Sequence, residues 1–179
     1  MKIIYASIFL LLAGCASQSI YDLNLNSSGR VFSDENISIS FSFPTANAVS
    51  RTQDFTTYKV HTGIGIVLEN KTNKNIVIDW NQVTMRDNTG ASGKQVMHEG
   101  VKYKDCADSK VPTTLPPKGF IRDIITPCYG VWFSPSGWNA SMLPEPKLGN
   151  VDSVGLALPL KIGDELKNYD FTFTGKVLQ

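Results

Sequence analysis

A run of strict alternation, Ile37-Ser-Ile-Ser-Phe-Ser-Phe43, does most to limit what this chain can fold into. Successive side chains of an extended chain point to opposite faces, whereas a helix spreads them around its circumference. A strand therefore gathers Ile37, Ile39, Phe41 and Phe43 on one face and Ser38, Ser40 and Ser42 on the other. Pro44 ends the run, because proline has no amide hydrogen to donate to a neighbour. The same period recurs along the chain. Val60, Ile64, Ile66 and Leu68 share a phase with Thr62, which predicts a second strand over His61–Glu69. Gly63 and Gly65 fall on its other face and predict a bulge or a close backbone approach. After the turn cluster Asn70-Lys-Thr-Asn-Lys-Asn75 come Ile76, Ile78 and Trp80, and Val83 and Met85 lead into a turn at Arg86-Asp-Asn-Thr-Gly90. Gln95–His98 reads as a short return strand. Phe120–Thr126 is a strand with Phe120, Arg122 and Ile124 on one face and Ile121, Asp123 and Ile125 on the other. Val154, Leu156, Leu158 and Leu160 alternate in the next, and Tyr169, Phe171 and Phe173 in the last.

No segment carries a sustained apolar stripe of helical period, and the one short helical candidate is Pro135–Leu143. Val111–Gly119 holds three prolines and is excluded from a central strand. Pro127–Pro146, rich in Pro, Gly, Ser and aromatic residues, reads as a long loop. About seven or more short antiparallel strands separated by turn signals predict an all-β fold, an immunoglobulin-like β-sandwich with long Pro/aromatic loops. Trp80 suits the core of such a fold. Cys106 and Cys128 both follow Trp80 instead of bracketing it, so the pair does not match the inter-sheet bridge of antibody domains.

The chain opens Met1-Lys-Ile-Ile-Tyr-Ala-Ser-Ile-Phe-Leu-Leu-Leu-Ala-Gly-Cys15. One cation, Lys2, precedes an apolar run over Ile3–Leu12. That run is too short for a bilayer-spanning helix, which needs about 20 residues, and fits a signal-peptide core of about 7–15. Leu12-Ala-Gly-Cys15 completes a segment that resembles the signal peptide and lipobox of bacterial lipoproteins. The resemblance implies that residues 1–14 are a removable leader. It implies that the Cys15 sulfur takes a diacylglyceryl group and that the new amine is acylated. Residues 15–29 are then a lipidated tether, small and polar in composition, and residues 30–179 the folded domain. Each buried methylene contributes about 0.8 kcal/mol, so two or more acyl chains give stable anchoring. Ala16, not Asp, follows the cysteine, which resembles an enteric lipoprotein released to the outer membrane, on its periplasmic face. Membrane lipid, held through Cys15, is the one partner this leader implies directly.

Removing residues 1–14 from 179 leaves 165, enough for one domain with its own core. The whole chain has 17 Lys and Arg against 16 Asp and Glu, and without Lys2 the two balance. No basic block offers the electrostatic footprint of nucleic-acid binding. Cys106 and Cys128 would meet an oxidising compartment after export, where cysteine pairs cross-link, and a disulfide between them is expected. The alternative is two separate thiols. No second CxxC and no HxxxH lies near them, so a zinc site is not indicated.

No catalytic motif or cofactor loop is found. His98-Glu99 lacks the second histidine of HExxH, since position 102 is Lys, and His61 and His98 read as exposed strand residues. No GxSxG occurs. The pairs Asp105/Asp108 and Asp164/Glu165 read as solvated loop acids. The most suggestive stretch is Tyr129-Gly-Val-Trp-Phe-Ser-Pro-Ser-Gly-Trp138. Tyr129, Trp132, Phe133 and Trp138 place four aromatics in ten residues just after Cys128, and aromatics are enriched in binding hot spots. The competing reading is that these rings cap one end of the domain. The expectation is therefore a non-enzymatic, membrane-anchored binding or assembly module for an envelope protein partner. A carbohydrate- or peptidoglycan-binding protein and a purely structural lipoprotein are the alternatives.

Overall fold

The computed structural model describes residues 18–23, 29–49, 57–87, 89–128, 131–134, 137–140 and 152–178, with side chains over 29–45, 61–87, 89–128 and 153–175. Alternation becomes strand. In chain order these are β1 (Gln18–Leu23), β2 (Val31–Ser33), β3 (Ile37–Ser42), β4 (Thr45–Val49) and β5 (Thr57–His61). β6 (Ile64–Asn70), β7 (Ile76–Ile78), β8 (Thr84–Arg86), β9 (Lys94–Met97) and β10 (Thr113–Leu115) follow. The last are β11 (Phe120–Pro127), β12 (Val131–Ser134), β13 (Gly137–Ala140), β14 (Asp152–Ile162) and β15 (Glu165–Leu178). Among the described residues, 3₁₀ structure occurs at Tyr103–Asp105 and at Cys128.

The fold is all-β and antiparallel. Hydrogen bonds run in the order β1-β15-β14-β8-β9-β11-β6-β3-β2, with β7 also on β14 and β10 on β7. β4–β5 and β12–β13 are separate two-stranded ribbons. β3 lies six places from β15 along the main path, yet their aromatic residues meet. The Phe41 ring packs edge-on to Phe171 and Phe173 at 4.8 and 4.9 Å, and Phe43 to Phe173 at 5.2 Å. Phe32 adds edge contacts to Tyr169 and Phe171. The sheet thus folds over its own apolar face, and Ile39, Leu68, Ile78, Leu156, Leu158 and Leu160 are fully buried inside. Burial of such side chains contributes about 1.5–3 kcal/mol each before chain entropy is set against it.

Gly63 and Gly65 occupy close approaches, as their positions foretold. A Cβ on Gly63 would stand 2.5 Å from the Ile125 carbonyl oxygen, and one on Gly65 would collide with the Ser42 hydroxyl.

Four turns gather at one end. Lys71 N donates to Asn36 O (2.8 Å), Asn70 N to Gly119 O (2.9 Å) and Gly163 N to Asn75 O (2.9 Å). Asn70 is fully buried there. Its amide donates to Lys74 O (2.7 Å) and Pro116 O (2.9 Å) and its oxygen accepts from Thr72 N (2.9 Å), so one side chain joins its own turn to the 116–119 turn. Asp34 accepts from the amides of Asn36 and Ile37 (both 2.8 Å) and from the Tyr169 hydroxyl (2.9 Å). Burial alone would raise the Asp34 carboxyl. The amides of Ile37 and Asn36 and the Tyr169 hydroxyl outweigh it and hold the group below the usual carboxylate value. Burial first, then the Asp34 bond, pushes the Tyr169 hydroxyl well above its ordinary value.

Several expectations need correction. Pro127–Pro146 is not simply a long loop, because β12 and β13 pair within it. The helical candidate Pro135–Leu143 contains strand at Gly137–Ala140 instead. As expected, Val111–Gly119 supplies no central strand: the three residues of β10, between its prolines, lie off the main path against β7, where they interrupt no ladder. Six residues of the expected tether form β1, which pairs Gln18 with Leu178 through Leu23 with Phe173. Trp80 is buried as expected, but it sits in the turn after β7 and not in the strand. His61 is 5% exposed, not a surface residue, with its ring edge-on to Phe43.

Candidate functional site

Two regions of the described surface bear on function. The first is the outward face of β2, β3, β6 and β11. Register partners share a face, and the rows here are Val31–Ser40–Val67–Arg122, Ser33–Ser38–Glu69–Phe120 and Ser42–Gly65–Ile124. The serines of the alternating run thus point outward, as the sequence requires. Phe120 (61%), Val31 (55%), Ile124 (38%) and Val67 (37%) are exposed on this face. The Arg122 guanidinium lies over the Phe120 ring, 5.8 Å from its centroid. The result is a flat surface with scattered apolar side chains, short hydroxyls and one charge of each sign.

The second region is the 98–112 segment and its attachments. Asp123 is on the inward face of β11, opposite Ile66, where an uncompensated carboxylate would be costly. Its oxygens accept from the amides of Glu99 and Ile124 (both 2.7 Å), and the His98 Nδ1 lies 3.2 Å away. The Trp80 ring stacks on the His98 imidazole, with centroids 4.3 Å apart and planes 10° from parallel. Trp80 Nε1 donates to Thr113 Oγ1 at 2.8 Å. His98 is 17% exposed: contrary to the expectation of an exposed residue, the ring is a packed tie between the end of β9 and β11. Among the described residues no Ser, Thr or Cys side chain is hydrogen-bonded to it. A base held by a carboxylate still needs a nucleophile in reach.

The segment is fixed further along. The sulfur atoms of Cys106 and Cys128 lie at bonding distance, with Cα atoms 5.7 Å apart, so the expected disulfide is present. The Lys110 ammonium is buried and donates to the carbonyls of Cys106 (2.9 Å) and Asp108 (3.0 Å). The Asn81 amide clamps the Lys110 backbone in both directions, at 2.8 and 2.9 Å. Asp79 orients Asn81, and that hydrogen bond outweighs burial, which acts the other way, and holds the Asp79 carboxyl below its usual value. An open depression results, bordered by His98, Lys102, Asp105, Asp108 and Val111. Among the described residues no three His, Cys, Asp or Glu side chains are grouped to hold a metal ion.

Cys15 and Tyr129 lie outside the described residues, as do the side chains of Trp132, Phe133 and Trp138. The backbone places the last three in β12–β13, where Phe133 pairs with Trp138 and Trp132 with Asn139. The disulfide ties Cys128, three residues before β12, to the 98–112 segment. Among the described residues no helix is long and apolar enough to cross a membrane. The Asp123–His98–Trp80 cluster was missed by sequence reasoning, since its members are 25 and 18 residues apart and obey no motif spacing.

Comparison with protein-family models, with curated proteins and with solved structures finds no match to this chain.

Proposed function

We propose that this chain is a lipid-anchored protein of the bacterial envelope that acts as a non-enzymatic docking module for a protein partner. The leader and Cys15 support the anchor, and Ala16 supports the outer membrane as its address. The layered packing of β3 against β15 supports an immunoglobulin-like sandwich as the scaffold. The observation that carries the docking role is the outward face of β2, β3, β6 and β11. Four of its side chains are large, apolar and exposed, though the core inside is well filled. Exposed apolar patches rimmed by polar groups mark interaction surfaces, and Arg and aromatic side chains together are typical of interface centres.

Two measurements test this. Radiolabelled palmitate should enter the full chain and not the Cys15→Ser variant. A photo-crosslinking residue in place of Phe120 should capture one defined envelope protein in native cells, while the same residue at the exposed turn position Asn73 captures none. Equal adducts from both positions would refute the docking face.

A further inference from the structure

Phe120 and Glu69 are register partners on β11 and β6, and so are Arg122 and Val67. All four side chains are on the outward face and exposed. Two residues separate Phe120 from Arg122 along β11, and Val67 from Glu69 along β6. The four therefore stand at the corners of a block about 5 Å by about 7 Å. One diagonal of the block is apolar, Phe120 and Val67. The other carries the two charges, Glu69 and Arg122. Among the described residues neither charge has an ion-pair partner. The side chains beside the block are short. Ser38 and Ser40 on β3 are the register partners of Glu69 and Val67, and Ser33 lies beyond Ser38 on β2. A surface approaching the block meets no long side chain on β3.

An interface between two identical copies must be self-complementary, because a two-fold axis brings the same patch to both sides. A two-fold axis lying in the plane of this face, along the apolar diagonal, meets that condition. It sets Phe120 against Phe120 and Val67 against Val67 of the second copy. It also exchanges the charged corners, so Arg122 of each copy falls over Glu69 of the other. From this arrangement we infer that the protein docked on the outward face is a second copy of this chain. The inference rests on the docking role proposed above and names its partner. Each charge gains in the dimer the opposite charge it lacks within its own chain. The axis lies at about 45° to the strands, so the two sheets cross at near right angles, one of the two ways in which sheets pack. The Arg122 guanidinium over the Phe120 ring puts an Arg–aromatic cluster at the axis, the composition of interface centres. A different protein would have to supply charges in the same alternation, whereas a second copy has them by symmetry. Four strands about 4.8 Å apart and the six residues of β3 at about 3.3 Å each give a footprint of about 400 Å². That is at the small end for protein interfaces, so the dimer is reversible and sensitive to single charges.

Charge exchange makes the test direct. Two full-length chains with different epitope tags are expressed together, each with a photo-crosslinking residue in place of Phe120. Irradiation should give an adduct that carries both tags, and the same residue at Asn73 should give none. Arg122→Glu in both copies, or Glu69→Arg in both, sets like charges against each other and should lower the yield about tenfold or more. Arg122→Glu/Glu69→Arg in both copies restores opposite charges across the axis and should restore the yield. Arg122→Glu in one copy and Glu69→Arg in the other should restore it too, which separates lost docking from any folding defect of either variant. An adduct at position 120 with a different protein, without the second tag, overturns the dimer while the docking face stands. A two-tag adduct that ignores the single exchanges, or that neither combination restores, also overturns it. No adduct at position 120, or equal adducts at 73, overturns the docking face and the dimer together.

Discussion

Reducing the Cys106–Cys128 bond should cost this protein a large part of its stability, and the size of the loss follows from the chain between the sulfurs. Residues 106–128 close a loop of 23 residues. In the chain-entropy account, cross-linking a loop of that length removes enough freedom from the unfolded ensemble to stabilise the fold by about 3 kcal/mol. A domain of this size has a urea dependence of about 2 kcal/mol per molar, so the unfolding midpoint should fall by about 1.5 M on reduction. The measurement is equilibrium urea unfolding of residues 16–179, oxidised and reduced, with Cys106→Ala/Cys128→Ala beside it. Reduction keeps both sulfur atoms in place, so it isolates the cross-link. The double alanine variant also removes the buried Cys106 sulfur and should fall slightly further. The urea slope should rise on reduction, because an unfolded chain without the cross-link exposes more surface. The 98–112 segment keeps its other ties, through Asp123 and Asn81, so amide exchange there should rise less than in β12–β13. Coincident midpoints for the oxidised and reduced protein would refute the entropy argument. A loss confined to local exchange, with the global midpoint unmoved, would show that the loop already unfolds separately from the sheet.

The remaining predictions concern single side chains. Asp123→Ala removes the acceptor of two amides and of His98, and should destabilise by about 2–4 kcal/mol in thermal or urea unfolding; Asp123→Asn, which keeps one oxygen, should recover part of it. Gly63→Ala puts a methyl against the Ile125 carbonyl and should cost about 1–3 kcal/mol, with amide exchange rising first where Ile64 pairs with Ile125. Asp34 is held below the usual aspartate value of 3.8, so its contribution is present at neutral pH and is lost as pH falls below about 4 through the folded value. Asp34→Asn should be less stable than the parent at pH 7 and should show a shallower acid decline below pH 4; an unchanged acid slope would count against the Asp34 network.

Much of this architecture is written in periodicity, and the exceptions have physical causes. β3, β6, β11, β14 and β15 show as alternation because one face of each is buried by the sheet's own return, so side chains two apart share an environment. Phe120, Arg122 and Ile124 share one face of β11, as the alternation sorts them, and that face is the exposed one. Which of its two apolar faces looked outward was not legible, because Phe120 and Ile124 are as apolar as Ile121 and Ile125. β10 was hidden because three residues between prolines are too few for a period to show, and an edge strand tolerates its neighbours. β12 and β13 were hidden by composition, since Gly, Ser and Pro also mark loops, and a short ribbon needs no buried face to impose alternation. His98 looked exposed because its neighbours are polar. Its burial is decided by Trp80 and Asp123, which are distant in sequence and reach it only once β9 and β11 pair. The disulfide was legible from the count of cysteines together with the export that the leader's resemblance implies.

The same topology that gathers the turns also sets how a docked partner must approach. β3, β6 and β11 each run away from the turn end, so the rows of the outward face lie across the strand axis. Under the proposed docking role a partner would meet those rows from the side of the strands, where the Arg122 guanidinium over the Phe120 ring and the exposed Val31, Val67 and Ile124 would supply the contact.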